Sequence, residues 1–369
     1  MRYRIETDSL GEKQIPAEAY YGIGALRSKE TFEITKHGLL RQMIKAFAEI
    51  KKAAAKTNLD LGLLDKQIAN VISLSCDEII NGRLHGQFIT DVLQGGAGIS
   101  MDKNANEVIA NRANEMLGGE KGSYNLVDPN LHVNLNQSSR ENVLIAGKLA
   151  GIRLTKKLLL EAKKLSNAYE NKLAEYALNK DEPLSIGQEL SAFNEVLERD
   201  IKRTDAACDE LTLINSNYYS AAGIEANPLY AKKFVKYVSA YASQDLSLAK
   251  NTVENRRNLD AFTWLSSALK NMIMNLSKVA TDLEILERQG KVKLPKVETG
   301  DSPVVLEMIK QVSFYIMGND LTVTRAIEAG ELEENFFLPV IYACLFESLN
   351  LIRRAIRTLR EKTIEPLTI

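Results

Sequence analysis

Cysteine, histidine and proline are all scarce in this chain, and each scarcity removes a class of protein. The three cysteines, Cys76, Cys208 and Cys344, are odd in number and far apart, which argues against a disulfide framework and any CxxC metal knuckle. They read as buried thiols in a reducing compartment. With only His37, His85 and His132 to draw on, no metal centre is expected, and nothing calls for a cofactor. An excess of one charge is missing too: 47 Lys plus Arg stand against 48 Asp plus Glu, so a polybasic nucleic-acid binder is ruled out. The longest apolar run, Phe336 to Phe346, holds 11 residues and includes Pro339. A membrane span needs roughly 20, so none is expected. Met1-Arg2-Tyr3-Arg4 opens on charge instead of an apolar leader, which points to a cytoplasmic protein.

What is present is helix. Only eight prolines occur in 369 residues, none of them between Pro16 and Pro129. A stretch free of Pro and Gly runs from Leu229 to Gln289. Its second half places Phe262, Leu265, Leu269, Met272, Leu276, Val279, Leu283 and Leu286 at alternating steps of three and four, a packing seam that Gly290 terminates. Leu190, Phe193, Leu197, Ile201, Thr204, Cys208 and Leu211 repeat the spacing, as do Ile341, Leu345, Ser348, Ile352, Ala355 and Leu359. A fourth long segment, Val143 to Leu178, holds Gly147 and Gly151 but no proline. These four predict an all-α, long-helix bundle over 141–369. Residues 1–140 form a small mixed N-terminal domain, with glycines clustered at Gly22-Ile23-Gly24, Gly95-Gly96-Ala97-Gly98 and Gly118-Gly119.

Gln94 to Ser100 has neither the GxxxxGK[ST] spacing nor a preceding strand, so it is not a phosphate loop. The helix that follows is more telling. Asn104, Asn106, Asn111 and Glu107 sit on an otherwise apolar face and must be hydrogen-bonded, either to the protein's own backbone or to a polar ligand.

From the Gly95–Ala113 block the sequence resembles the aspartase and class II fumarase family, closest to its aspartate ammonia-lyase branch. The resemblance extends to Arg4-Ile5-Glu6, Ala19-Tyr20-Tyr21-Gly22, His85-Gly86-Gln87-Phe88, Asp128-Pro129-Asn130, Ile186-Gly187-Gln188-Glu189, Met317-Gly318-Asn319-Asp320 and Glu328-Ala329-Gly330-Glu331-Leu332-Glu333. It implies an all-α fold, a homotetramer of long bundles, and active sites built from three segments of different subunits. It also implies the elimination of ammonia from aspartate to give fumarate. That chemistry needs a positioned base, and donors or cations for the charge that grows on the substrate carboxylate.

Against the family pattern each segment departs. In the first, Ile99 stands where a substrate-binding threonine is usual, and Asp102 and Lys103 replace Asn and Met, while Ser100, Asn104, Asn106 and Glu107 match. In the second, Ser138 and Ser139 could still donate to a carboxylate, and Arg140 replaces a substrate-contacting asparagine. Three readings of Arg140 stay open: it clamps a carboxylate, it fills the pocket, or it pairs with Glu141 or another acid. A Gly-Arg-Thr-His run of the family falls on Tyr176 and Ala177, so its histidine is gone. In the third, the family's Gly-Ser-Ser-x-Met-Pro-Gly-Lys-x-Asn-Pro loop corresponds to Gly300-Asp301-Ser302-Pro303, seven positions shorter and without a lysine. Ser302 is the only serine left as a base, and Glu307 matches the glutamate that partners the missing histidine. The family's small third domain would follow Lys362, where this chain ends at Ile369.

The resemblance therefore leads to a scaffold that binds or assembles, with the standard deamination weak or absent. The alternatives are a lyase for a different dicarboxylate or amino acid, and a subunit that completes sites with a paralogue.

Overall fold

Strands β1 (Tyr3–Asp8) and β2 (Gly11–Pro16) form an antiparallel hairpin. Its turn is set locally: the Asp8 carboxylate accepts the Leu10 N–H at 2.9 Å, and Gly11 adopts a φ of 105°, open to glycine but strained for side-chain-bearing residues. Beyond the hairpin, helices dominate the computed structural model, which describes residues 2–175, 185–215, 228–296 and 303–368.

The helices are α1 (Ile23–Thr31), α2 (Arg41–Asp60), α3 (Lys66–Ile80), α4 (Ile99–Met116), α5 (Ser139–Glu175), α6 (Ile186–Asp209), α7 (Pro228–Ala242), α8 (Thr252–Arg257), α9 (Asp260–Arg288), α10 (Val304–Glu328) and α11 (Leu338–Leu359). A two-residue parallel pair, β3 (Leu213–Ile214) with β4 (Ser247–Leu248), completes the described strands. The fold class read from the sequence, all-α with a small mixed N-terminal part, is the one observed. The Pro- and Gly-free stretch after residue 228 is not one helix, however. Ser243 turns left-handed at φ 51°, and the Asn251 carboxamide caps α8 by accepting the N–H groups of Val253 and Glu254. Local capping chemistry therefore divides it where composition shows no breaker.

Contacts group the chain into two compact units, each drawn from three separate stretches. The first comprises Met1–Ala150, Leu211–Leu259 and Ala326–Ala343. Within it α2 packs against both α3 and α7, with Ile44, Phe47, Ala48, Ile50 and Ala54 buried on α2. Helix α5 passes α11 closely at Gly147, where an added Cβ would lie 2.2 Å from the Tyr342 ring.

The second unit comprises Gly151–Glu210, Asp260–Arg325 and Cys344–Ile369. Here the seams do what their spacing predicts: all eight seam positions of α9 are buried, as are the α6 seam through Cys208 and the α11 seam from Leu345 onward. Each fully buried Leu, Ile or Phe contributes about 1.5–3 kcal/mol relative to exposure, so these stripes are core. Polar pins fix the register. Asn275 on α9 reaches Asp200 on α6 at 2.7 Å, Ser266 and Lys270 on α9 both hold Asp320 on α10, and Ser166 on α5 donates to Glu198 on α6.

Candidate active site

The first of the family-like segments enters α4 through two left-handed residues, Ala97 at φ 58° and Gly98 at φ 77°. Space matters at Gly98 as well: an added Cβ would come within 3.3 Å of Val143 and 3.4 Å of Met101 and Pro339. Ser100 is half-buried on the first turn of α4, beside Ile99, which offers no hydroxyl. Asn104 is fully buried. Its Oδ1 accepts the Ile89 N–H at 2.8 Å and its Nδ2 donates to the Gln87 carbonyl at 2.9 Å, so its amide is spent on the loop before the segment.

Of the three other polar positions, Asn106 departs from the expectation: its Nδ2 donates to Asp102 at 3.3 Å and its buried Oδ1 has no partner among the described residues, while the other two are held by backbone. Asn111 bonds the Tyr20 carbonyl and the Gly122 N–H, and Glu107 accepts from the backbone N–H groups of Gly22, Gly24 and Ala25 at 2.8, 2.8 and 3.1 Å. Glu107 thereby closes the N-terminus of α1, where a helix attracts negative charge. Gly22 and Gly24 are required there: a Cβ on Gly24 would lie 2.6 Å from the Glu107 carboxylate. Burial pushes the Glu107 carboxyl up to about 7 in spite of the three donors.

Asp102 forms the deepest ion pair of the first unit. It meets Lys51 at 2.8 Å, both side chains fully buried, and also accepts from Asn142 at 2.9 Å. Lys51 in turn donates to Asn134 at 2.7 Å. The pair therefore ties α2 and α4 to the second segment. Asn136, left-handed at φ 58°, is held by Asn58 on α2, which also bonds the Leu135 carbonyl.

Ser138 and Ser139 lie half-buried at the entry of α5. Arg140 pairs with an acid, and the acid is Glu334, not Glu141. Its Nη1 stands 2.6 Å from Glu334 Oε2, and its guanidinium lies 5.4 Å over the Phe336 ring. Arg256 donates to the other oxygen of Glu334. Glu141 is buried and accepts from Asn215 at 3.2 Å, and Asn215 accepts from Asn255, which also receives Lys148. Desolvation raises the Glu141 carboxyl above its ordinary range. Ala97, Leu144, Leu259 and Leu338 wall the cavity beside this network, about 20 Å³ in volume. That is room for about one water molecule.

Glu307 is exposed on the first turn of α10, in the second unit. Ser302, like Tyr176 and Ala177, lies outside the described residues. The two family-like histidines bond backbone: His85 Nε2 meets the Ile79 carbonyl at 2.8 Å, and His132 Nδ1 accepts the Asp128 N–H at 2.9 Å. Arg256, Glu334, Asn215 and Lys51 were not visible as site residues. Each is an ordinary charged or amide residue, on a helix for Lys51 and Arg256 and on a turn or loop for Glu334 and Asn215, far in sequence from the residue it meets.

This arrangement is a long-helix scaffold with polar segments opening α4 and α5. The profile of the lyase family matches residues 11–318. Aspartate ammonia-lyase of Bacillus subtilis (strain 168) is 38% identical over 385 positions, covering 98% of this chain and 81% of its own length. That of Escherichia coli (strain K12) is 34% identical over 390, covering 99% and 82%. Both aligned spans exceed the chain's 369 residues, so each relative carries residues with no counterpart here. Among solved structures, a fumarate lyase:delta crystallin of Brucella melitensis bound to cobalt matches the whole chain and 85% of its own, with a TM-score of 0.94 at 34% identity. A class II fumarase from Schistosoma mansoni gives 0.92 at 25% identity, over 100% of this chain and 85% of its own. The chain belongs to the aspartase and class II fumarase family of lyases.

Proposed function

We propose that this chain keeps the scaffold of an aspartate ammonia-lyase while the deamination of aspartate to fumarate is lost or severely weakened, and that it acts in the cytoplasm as a binding or assembly protein. The observation that carries the reading is the commitment of Arg140. Where the family resemblance places a substrate contact, the guanidinium is held by Glu334 and covers Phe336, beside a cavity of about 20 Å³. Three further features support it. Ile99 has no hydroxyl, the Asn104 amide is engaged by backbone, and the sequence between Gly300 and Pro303 supplies one serine and no lysine.

A missing general base costs about 10²- to 10⁴-fold, and a missing oxyanion donor about 3 kcal/mol. These losses are not additive, but all act in one direction. Assembly as a homotetramer is supported by the outer face of α10, where Phe314, Tyr315, Met317 and Leu321 are exposed together, more apolar surface than a lone helix normally leaves in water.

Incubating the purified protein with aspartate and quantifying released ammonia tests the proposal. Release indistinguishable from a protein-free control is expected, and release at ordinary enzyme rates overturns it. A second reading, supported by the retention of Ser138 and Ser139 at the entry of α5, is that the chain completes sites with a full-length paralogue. Purification from the native host decides it: an oligomer containing this chain alone removes that reading.

A further inference from the structure

Two guanidinium groups converge on one carboxylate in the first unit. Arg140 holds Oε2 of Glu334 at 2.6 Å, and Arg256 holds Oε1, so both oxygens are engaged by planar donors. That is the geometry with which arginines recognise a carboxylate ligand. Here the carboxylate belongs to the chain itself.

Glu334 arrives on a tight turn. Glu331 and Glu334 exchange backbone hydrogen bonds of 2.8 and 2.9 Å, and between them Leu332 stands at φ 51° with its apolar side chain 79% exposed. A left-handed leucine costs roughly 1–2 kcal/mol, and nothing is gained by exposing it. The turn is anchored behind this point, at Asn335, whose amide bonds the Ala326 carbonyl at 3.0 Å and the Phe337 N–H at 2.8 Å. Displacing the Glu334 carboxylate therefore leaves the Asn335 anchor in place. Of the two other acids that line the cavity, Glu141 is satisfied by Asn215 and lies 3.9 Å from Arg256, and Glu333 is exposed to solvent, so removing the Glu334 carboxylate leaves both guanidinium groups without their shared partner. Ala97, Leu144, Leu259 and Leu338 give the cavity an aliphatic part, beside the polar part formed by Arg140, Arg256, the three acids and Asn335.

We propose that Arg140 and Arg256 form a binding site for a small aliphatic carboxylate, and that Glu334 is its tethered occupant, displaced when an external carboxylate takes its place. The Glu334 side chain is in effect a propionate on a leash. A group tethered this closely competes at a millimolar or higher effective concentration, so the resting chain binds external carboxylates weakly. The inference does not depend on the lyase reading, because binding is measured without turnover.

The test titrates propionate into the full-length protein by calorimetry at fixed ionic strength, with chloride as reference. Glu334→Ala should bind at least tenfold more tightly than the unaltered chain, and Glu334→Ala combined with Arg256→Gln should lose that gain. In the unaltered chain, saturating propionate should speed amide hydrogen exchange at residues 330–334. A folded Glu334→Ala protein with no carboxylate-specific binding overturns the proposal, as does a gain that survives Arg256→Gln. If Glu334→Ala does not fold, exchange at residues 330–334 that propionate leaves unchanged overturns it.

Discussion

Burial of charge is the dominant expense among single residues of the first unit, and it is met in two ways. Glu107 is surrounded by backbone N–H donors, yet desolvation prevails and its carboxyl rises from 4.5 to about 7. The native state therefore keeps this proton to higher pH than the unfolded chain does. The stabilisation is complete below about pH 4.5 and is lost as the pH rises through 7. Urea denaturation across pH 5–8 should show stability falling by up to about 3 kcal/mol through this group. Glu107→Gln should flatten the slope, and an unaltered slope in that variant contradicts the assignment. Lys51 and Asp102 compensate each other instead, although burial still pulls the Lys51 ammonium below its usual range. Asp102→Asn leaves the ammonium without its counter-charge and should cost about 3–5 kcal/mol by the same measurement. The sequence disclosed that the polar positions on α4 must be bonded, and left open whether backbone or ligand would do it. Asn104, Asn111 and Glu107 are bonded by backbone, whereas Asn106 reaches only the Asp102 side chain and leaves its oxygen unpartnered among the described residues. Choosing between those partners needs to know which distant loop returns, and spacing along one helix does not carry that information.

At the scale of elements, the seams of α6, α9 and α11 were fully legible because periodic burial is a local property of sequence. The closest approach of α5 to α11 was not: Gly147 could be noticed, but its partner Tyr342 is far along the chain. Gly147→Ala should gain about 1 kcal/mol of helix propensity, yet destabilise by roughly 2 kcal/mol or more through overlap with the Tyr342 ring. Tyr342→Leu in the same protein should recover part of that loss in thermal unfolding. The start of α6 offers a gentler test. The Ser185 hydroxyl accepts the Gln188 N–H while the Gln188 side chain returns to the Ser185 N–H, a capping box. Ser185→Ala should cost about 1 kcal/mol, and Ser185→Asp much less.

Over the whole molecule, division of the chain at 140/141 describes where its composition changes, while the compact units interleave three stretches each. Composition records no long-range return of the chain, which is why Arg140 could be placed next to an acid without Glu334 being named. If the exposed face of α10 is an interface between copies, Leu321→Arg should dissociate the proposed tetramer in sedimentation velocity while leaving the helical circular dichroism intact. Silenced deamination on a retained scaffold is read out by fumarate formation from aspartate at 240 nm, run beside the Bacillus subtilis relative at equal subunit concentration. A kcat/KM at least about 10⁴-fold lower is expected, from the proposed loss of base and donors together. A value within about tenfold of that enzyme would contradict it.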